Sequence, residues 1–371
     1  MNKKLNIFFV SSTAYGGSFE SLKLTTKVLK KYATHITALF ILRENVDVAF
    51  PELDNVDVII EKLPNFKKVF MFPLLGPSIK RAVEKAISNN HYDVAISYAL
   101  VFTHYVLPPL KKRRIPVIFN INSFTHFRAK PVAKFYFRSA CKNSDLVTFG
   151  SASLIKDFTA YYGFDCPNSA VLPMPIDTDR FAPVPDIPRS DILAVGRLVP
   201  LKRYDLLLRA FKIVHDEIPG VKLHIAGEGP DEGHLRRIAR KLGIADYVVF
   251  HGFVDPLPLY QRAAVFVHTS EYETFCRVVG EALACETPAV SCTPGGPQDI
   301  LADGVGGFWV SPNPEDIAEK TIFLLRNPDL ARKMGRQGRE KVIKNYSVPV
   351  YEKNLISLIN QLLRERKNGT R

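Results

Sequence analysis

The 371-residue chain lacks several features that would define a special class of protein. It has no unbroken apolar run long enough to cross a bilayer, so no membrane-spanning helix is predicted. Its five cysteines are odd in number and never spaced C-x-x-C, which argues against a disulfide framework or a zinc-thiolate site and favours a reducing compartment. The nine histidines show no H-E-x-x-H spacing, and neither G-x-G-x-x-G nor a Walker A pattern occurs.

Positive charge is abundant but unevenly distributed. Residues 62–142 hold fifteen Lys and Arg and only two acids, so this segment alone accounts for the net charge of +13. Aromatic and apolar residues are interspersed with the charges, a combination that suits an anionic membrane surface. We therefore predict peripheral attachment through 62–142. Two alternatives stay open: a helix near 77–90 that packs on its own sheet, and a nucleic-acid surface, which is less expected because no nucleic-acid motif is present.

Short β-rich runs alternate with helical patterns along the chain. Continuous apolar runs such as LNIFFV and DVAISY predict parallel strands covered by helices on both faces. The proline-rich stretch PMPIDTDRFAPVPDIPRS interrupts this alternation. We predict two doubly wound α/β domains that face each other across a cleft. The predicted bounds are 1–174 for the first domain, 175–190 for a linker, 191–348 for the second domain and 349–371 for a helix packing back towards the first.

Several loops that follow predicted strands carry residues suited to a ligand, because ligands of such sheets bind beyond the carboxyl ends of the strands. Arg197 and Lys202 follow DILAVG and offer two cations beside a helix start, a place for phosphate. Gly16 and Gly17 let the backbone approach a ligand after the first strand. A flat base can pair with main-chain groups near Val254. Taken singly, each loop is equally compatible with a solvated turn.

Two carboxylates stand eight positions apart in EYETFCRVVGEALA, on the edge of an apolar helix. Glu273 falls in a loop and Glu281 about two turns inside the helix. Buried charge is costly unless it is paired, and carboxylate oxygens accept hydrogen bonds from vicinal hydroxyls of a sugar or ribose. The alternative is that both are solvated or bridged to Arg277 or Arg262. The apolar surroundings make that alternative less attractive for Glu281.

Together these segments resemble a known family. GRLVPLK, IAGEGP, HGFV, ETFCRVVGEALA and TPGG occur in the order typical of family 4 retaining nucleotide-sugar glycosyltransferases with the GT-B fold. LPMPIDTDRFAP is similar to that family's linker. The resemblance covers nearly all of the second domain, and in the first domain only the topology and the Gly-Gly loop.

The resemblance implies a role for individual residues. Arg197 and Lys202 match the pair that holds the donor diphosphate, and Glu273 matches the first acid of the E-x7-E motif, facing the donor sugar. Glu281 matches the second acid, which holds the ribose. The implied donor-binding set is Gly16, Gly17, Gly196, Val254, Thr274, Phe275, Cys276, Arg277 and Glu281.

Some positions depart from the family. Glycine is usual where Cys276 and Glu286 stand, and a side chain at Cys276 would narrow or redirect the choice of sugar. An acceptor-side histidine commonly follows the strand that reads PVIFNI here. His126 is the nearest candidate but comes several residues late, and Asn122 occupies the expected region. A surface histidine is an equally good interpretation of His126.

The reaction implied by the resemblance moves a hexose-type sugar from a UDP-, GDP- or ADP-sugar to a hydroxyl of a glycan or lipid-linked acceptor. Transfer would retain the anomeric configuration by same-face attack, with no metal and no cofactor. The expected location is cytoplasmic, with peripheral attachment to the membrane. Two other functions stay open: a non-catalytic nucleic-acid or membrane-binding protein on the same scaffold, and a sugar-nucleotide epimerase.

Overall fold

The computed structural model describes residues 4–12, 16–44, 53, 55–64, 72–122, 130–301 and 304–368. The chain forms two units. The first contains Met1–Pro175 together with Tyr351–Arg371, and the second contains Ile176–Val350. Both are parallel α/β units, so the predicted class of two Rossmann-like domains is confirmed.

In its described residues, the first unit has seven strands with helices between them. Its strands are β1 (Leu5–Ser11), β2 (Ala33–Arg43), β3 (Asp57–Leu63), β4 (Val94–Tyr98), β5 (Val117–Ile121), β6 (Leu146–Phe149) and β7 (Ser169–Val171). Its helices are α1 (Gly16–Leu29), α2 (Phe72–Ala86), α3 (Thr103–Lys112), α4 (Lys130–Asn143) and α5 (Ala152–Tyr162). β4, β5 and β6 are buried at every position, as expected for strands covered on both faces.

The second unit repeats this plan with six strands. They are β8 (Ser190–Val195), β9 (Leu223–Ala226), β10 (Val248–Gly252), β11 (Ala263–His268), β12 (Ala289–Ser291) and β13 (Gly307–Trp309). The helices are α6 (Tyr204–Glu217), α7 (Glu232–Lys241), α8 (Leu257–Arg262), α9 (Arg277–Ala284), α10 (Gly296–Ile300), α11 (Pro314–Arg326), α12 (Pro328–Tyr346) and α13 (Val348–Lys367). Residues of α13 from Tyr351 onward belong to the first unit.

The strand order defines where a ligand is expected in each unit. The first sheet runs β3-β2-β1-β4-β5-β6-β7 and the second runs β10-β9-β8-β11-β12-β13, with all pairs parallel. The order reverses direction between β1 and β4 and between β8 and β11. Loops at the carboxyl ends of these neighbouring strands diverge to opposite faces and leave a crevice, which is the usual ligand position in such folds.

The sequence missed a few elements, notably α3 and β13. α3 contains Pro108 and Pro109, which predict a break, yet burial of Val106 and Leu110 holds the segment helical. β13 is only three residues long. No helix in the described ranges has both the length and the apolar character needed to span a membrane.

The two segments at the domain boundaries have specific contacts. The predicted linker packs onto the second unit: Arg189 donates to the Thr287 hydroxyl at 2.7 Å, and Arg180 pairs with Asp255 at 2.8 Å. α13 is fixed within the first unit, where the hydroxyls of Thr25 and Tyr351 lie 2.7 Å apart. The boundary between the units in this region therefore falls at Ile176, at the start of the proline-rich stretch.

Candidate active site

The crevice of the second sheet is formed by loops that follow β8, β9, β11 and β12. Glycines bring the β8 and β9 loops into contact, since a Cβ on Gly227 would lie 2.0 Å from the Gly196 carbonyl oxygen. A Cβ on Gly229 would lie equally close to the Leu198 carbonyl, at 2.2 Å. Only glycine permits this approach, so the IAGEGP segment supports the loop that carries Arg197 and Lys202.

Lys202 and Glu273 meet at the centre of this crevice. Lys202 ends a short 3-10 helix after β8, and Glu273 lies in the loop after β11. The Lys202 Nζ forms an ion pair with Glu273 Oε1, and the Ser270 hydroxyl donates to the same oxygen at 3.0 Å. His268 Nε2 lies 3.5 Å from it. The sequence predicted both charged residues but not that they contact each other.

Both members of this pair are held in the charged form. Burial favours the neutral carboxyl, but the interactions with His268 and Lys202 outweigh burial and lower the pKa of Glu273 to about 2. Burial likewise opposes the charge of Lys202, but the Glu273 carboxylate raises the pKa of Lys202. At neutral pH the site therefore contains a fixed carboxylate and a fixed ammonium group.

Arg197 adds a second cation at the mouth of the crevice. It lies on the loop between β8 and the 3-10 helix, with its side chain exposed. Its positive charge opposes protonation of Lys202, which indicates that the two cations are close. Next to it, the Gly196 carbonyl accepts a hydrogen bond from the Tyr204 hydroxyl at 3.1 Å. An anion placed here would meet two cations, as a diphosphate requires.

The Gly-Gly turn after β12 fixes the backbone that carries Glu273. The Gly296 N–H donates to the Glu273 carbonyl at 2.8 Å, and a Cβ on Gly296 would lie 2.3 Å from the Cα of Phe275. The Phe275 ring is buried against Tyr346, with ring centres 5.5 Å apart. Phe275 thus contributes only backbone to the crevice, whereas the neighbouring Thr274 is partly exposed there.

Glu281 is paired inside α9. It is buried, and its Oε1 accepts from the Arg277 guanidinium at 3.0 Å. Its other oxygen accepts from the Tyr260 hydroxyl at the longer distance of 3.4 Å. The bridge to Arg277, which the sequence made the less attractive alternative, is therefore present, and the expectation against it is wrong. The i,i+4 spacing on α9 places the two side chains together.

The remaining predicted residues lie at other strand ends. Val254 follows β10 and is exposed, beside the far more exposed Phe253 at 85%. In the first unit, Gly16 and Gly17 begin α1 after β1, at that sheet's switch point. Asn122 follows β5 and is buried. His126 lies outside the described residues.

Sequence reasoning missed His268, Ser270 and Phe253. His268 ends the apolar strand β11 and looks like part of it, although a histidine at the carboxyl end of a strand in this fold is itself a signal. Ligand atoms of His268, Glu273 and Cys276 lie within 4.8 Å of one another, a donor set that could hold a borderline metal ion such as Zn²⁺. Lys202 already supplies a cation to Glu273, and a metal would compete with it. The expectation of a metal-free reaction stays a prediction.

Comparison with known proteins adds an independent line of evidence. A sequence profile of group 1 glycosyl transferases matches residues 176–341, and one of glycosyltransferase family 4 matches residues 38–180. The chain is 31% identical over 243 residues to a GDP-mannose-dependent alpha-(1-6)-phosphatidylinositol monomannoside mannosyltransferase of Mycolicibacterium smegmatis, covering 58% of this chain and 62% of that protein. It is 30% identical over 221 residues to the mannosylfructose-phosphate synthase of Agrobacterium fabrum, covering 53% and 49%. These alignments span about half to three fifths of the relatives' length.

Solved structures show the same fold at low sequence identity. The sucrose-phosphate synthase of Thermosynechococcus elongatus superposes with a TM-score of 0.81 at 20% identity, covering 97% of this chain and all of that one. HepE of Anabaena, in complex with UDP-glucose, gives 0.80 at 19% identity, covering 96% of this chain and 100% of its own.

The fold and the matches define the class as transferase enzymes built on two Rossmann-like sheets. Within that class, the chain matches glycosyltransferase family 4 over residues 38–180 and the group 1 glycosyl transferases over residues 176–341. The predictions of family, fold and transferase class are therefore confirmed.

Proposed function

We propose that the protein is a retaining glycosyltransferase that moves a hexose from a nucleotide diphosphate sugar to a hydroxyl of a glycan or lipid-linked acceptor. The observation that carries the proposal is the Lys202–Glu273 ion pair at the switch point, with Arg197 beside it. Cations for a diphosphate and a carboxylate for sugar hydroxyls stand next to each other there. The names of the relatives, which include mannosyltransferases, support the same chemistry.

The reaction breaks the bond between the anomeric carbon and the donor phosphate and forms one to the acceptor oxygen. Arg197 and Lys202 offset the charge that develops on the departing diphosphate. Glu273 is a poor covalent nucleophile, because the contacts of Lys202 and Ser270 with Oε1 stabilise the carboxylate charge and so lower its nucleophilicity. Same-face attack is the mechanism we favour: the acceptor hydroxyl gives its proton to the leaving phosphate, which leaves as the nucleoside diphosphate.

The nucleotide would extend from these cations along the second sheet. The Glu281 oxygen that faces Tyr260 has only a long hydrogen bond of 3.4 Å, so it can exchange that partner for a ribose hydroxyl. Arg277 would keep the carboxylate in place through Oε1. The base would pair with the main chain near Val254, and the exposed Phe253 offers a surface for stacking.

A thermal-shift screen tests the donor site. Wild type and Glu281→Ala are compared against UDP, GDP, ADP and their hexose conjugates, beginning with GDP-mannose because three relatives are named for it. One nucleotide should raise the melting temperature of the wild type and have much less effect on Glu281→Ala. Arg209→Ala, on the exposed side of α6, is the matched control and should respond as the wild type does. If no nucleotide shifts the wild type, the proposal fails.

Product analysis then separates transfer from epimerisation. Donor incubated with acceptor should give a glycoside with retained anomeric configuration and free nucleoside diphosphate. An isomerised sugar nucleotide formed without acceptor would favour the epimerase. Activity that survives exhaustive chelation would support the metal-free reaction, whereas activity restored only by a divalent ion would contradict it.

A second proposal concerns the basic face of the first unit, formed by exposed residues of α2, α3 and α4. Leu74 on α2 and Phe135 on α4 are exposed to 73% and 62%. Lys80, Arg81 and Arg138 are exposed on the same two helices. Tyr105 on α3 connects the helices, since a Cβ on Gly76 of α2 would touch its ring and its hydroxyl lies 2.7 Å from that of Tyr136 on α4.

We infer that the basic face docks on an anionic membrane, which would bring a lipid-linked acceptor to the enzyme. Flotation with anionic and neutral vesicles at low salt tests this. The wild type should float only with anionic vesicles, and Leu74→Ser/Phe135→Ser should float less. Phe253→Ser, an exposed aromatic of the second unit, is the matched control. Failure to bind anionic vesicles would contradict the inference, and salt-dependent binding to DNA instead would favour the nucleic-acid alternative.

A further inference from the structure

Cys276 adopts a backbone conformation that side chains rarely accept. Its φ is +67°, in the left-handed region, and it is the residue immediately before α9. Glycine occupies this region without steric cost, whereas a Cβ contacts the neighbouring carbonyl oxygen. The Cys276 side chain is nevertheless buried. A strained residue held in a buried position suggests that its side chain has a function.

The thiol of Cys276 is buried beside the crevice described above. Its sulfur lies within 4.8 Å of both a ring nitrogen of His268 and a carboxylate oxygen of Glu273. The charge of Lys202 also acts on it. The thiol therefore occupies volume next to the ion pair that we assign to the donor.

His268 gives independent evidence that a ligand belongs in this volume. Its side chain is 5% exposed, and its Nε2 lies 3.5 Å from Glu273 Oε1 without making a well-aligned hydrogen bond to any described residue. Buried polar atoms are almost always satisfied, and an exception usually marks a place for a ligand or water. A sugar hydroxyl lying between His268, Glu273 and Cys276 would complete this arrangement.

A residue beyond the other end of α9 provides an internal control. Glu286 follows the other end of α9 and also has a left-handed backbone, with φ of +59°. Its N–H bonds to the Leu283 carbonyl, and its own carbonyl packs against Gly335. It stands at the amino-terminal side of β12, away from the strand ends that hold Lys202 and Glu273. Both residues therefore have a strained backbone, but only Cys276 lies at the candidate site.

We propose that Cys276 determines donor specificity, and this rests on the proposed function. Its side chain fills the space beside Glu273. The donor is thereby restricted to hexoses in which the ring substituents that face the thiol are hydroxyl groups. N-acetylhexosamine donors are excluded, because an acetamido group needs the volume that the thiol occupies. The donor class is therefore a nucleotide hexose whose sugar carries no acetamido group.

Three variants distinguish the effect of the Cys276 side-chain volume from the effect of its backbone strain. Cys276→Gly removes the side chain and the strain, and Glu286→Gly removes the same kind of strain away from the site. Cys276→Ser keeps the strain and most of the volume. Because both glycine variants relieve a left-handed residue, each should melt within about 4 °C of the wild type, which confirms folding.

The readout is the ratio of kcat/KM for a nucleotide hexose to that for the corresponding nucleotide N-acetylhexosamine. The wild type should prefer the hexose at least about tenfold. This is the discrimination expected when a small group either fits or does not fit into a pocket. Cys276→Gly should reduce that preference about tenfold. Cys276→Ser and Glu286→Gly should keep it.

The outcomes distinguish this inference from the proposed function. An unchanged ratio in Cys276→Gly, or a wild type that uses the N-acetylhexosamine equally well, overturns the inference while leaving the transferase intact. An equal change in Glu286→Gly also overturns it, because strain and not volume would then be the cause. Absence of nucleotide binding in every variant overturns the proposed function, and this inference with it.

Discussion

The two units have the same strand plan but differ in how much chemistry they place at the switch point. After β8 and β11, the second unit brings together Lys202, Glu273 and His268 in a buried, charged cluster. After β1, the first unit offers the backbone of Gly16 and Gly17 at the start of α1. The second unit can hold a charged ligand through its side chains. In the first unit a ligand can approach the main chain, and the unit has an exposed basic face. The shared topology therefore fixes where ligands bind but not which ligands bind there.

The largest expected effect comes from removing the cation of the second unit's cluster. Lys202→Ala should lower kcat about 10²- to 10³-fold, because it removes a positive charge from the leaving diphosphate and leaves Glu273 without its ion-pair partner. Steady-state kinetics with the donor from the thermal-shift screen measures this. Lys212→Ala, an exposed lysine of α6 paired with Asp216, is the control and should change kcat little. A loss below about threefold in Lys202→Ala would contradict the assignment.

The pH dependence of stability provides the next largest effect. The pKa of Glu273 is about 2 in the folded protein, below its ordinary value of 4.5, so its charged form stabilises the fold. That contribution is complete above pH 4.5 and is lost as the pH falls towards 2. It amounts to at most about 3 kcal/mol.

Thermal unfolding of the wild type and Glu273→Gln from pH 7 to pH 2.5 measures that contribution. The stability advantage of the wild type should shrink over the lower part of this range. Glu319→Gln, which changes an exposed carboxylate, should show no such trend. A constant difference between the wild type and Glu273→Gln at all pH values would contradict the account.

A smaller effect is expected when the turn that supports Glu273 is crowded. Gly296→Ala would place a Cβ 2.3 Å from the Phe275 backbone, which cannot move aside, and should destabilise the protein by about 2 kcal/mol while weakening nucleotide binding. Gly233→Ala is the control, because the nearest atom to its Cβ is a flexible arginine end at 3.9 Å. Chemical denaturation and calorimetric titration measure both quantities. If Gly296→Ala is destabilised but binds the nucleotide as well as the wild type does, the turn does not support the nucleotide site.

The smallest effect tests the first unit alone. Gly76→Ala would bring a Cβ to 2.6 Å from the Tyr105 ring, and a shift of that ring should cost about 1 kcal/mol. Nucleotide affinity should not change, because α2 and α3 belong to the first unit. If Gly76→Ala weakens nucleotide binding as much as Gly296→Ala does, the division of roles between the units is wrong.

The sequence predicted the sheets and the strand-end positions of most candidate site residues because these features are encoded locally. A buried parallel strand is a continuous apolar run, and the residues that follow it in the chain lie at the ligand edge, as Arg197 and Glu273 do. Residues of this kind need no knowledge of distant contacts.

Partnerships between side chains were harder to predict. The sequence favoured ribose over Arg277 as the partner of Glu281, but the i,i+4 spacing on α9 brings Arg277 and Glu281 together. His268 looks like an ordinary strand residue until β11 and the Glu273 loop are placed in space. The sequence did not predict α3, because its two prolines argue against a helix. Tertiary packing nevertheless stabilises the helix there.

The most direct test of the account is a crystal structure with the nucleotide hexose selected by the thermal-shift screen. We expect the diphosphate at Arg197 and Lys202, the sugar beside Glu273 and Cys276, and the ribose on Glu281. A nucleotide bound at the other end of the second sheet, or with its phosphates away from Arg197 and Lys202, would contradict it.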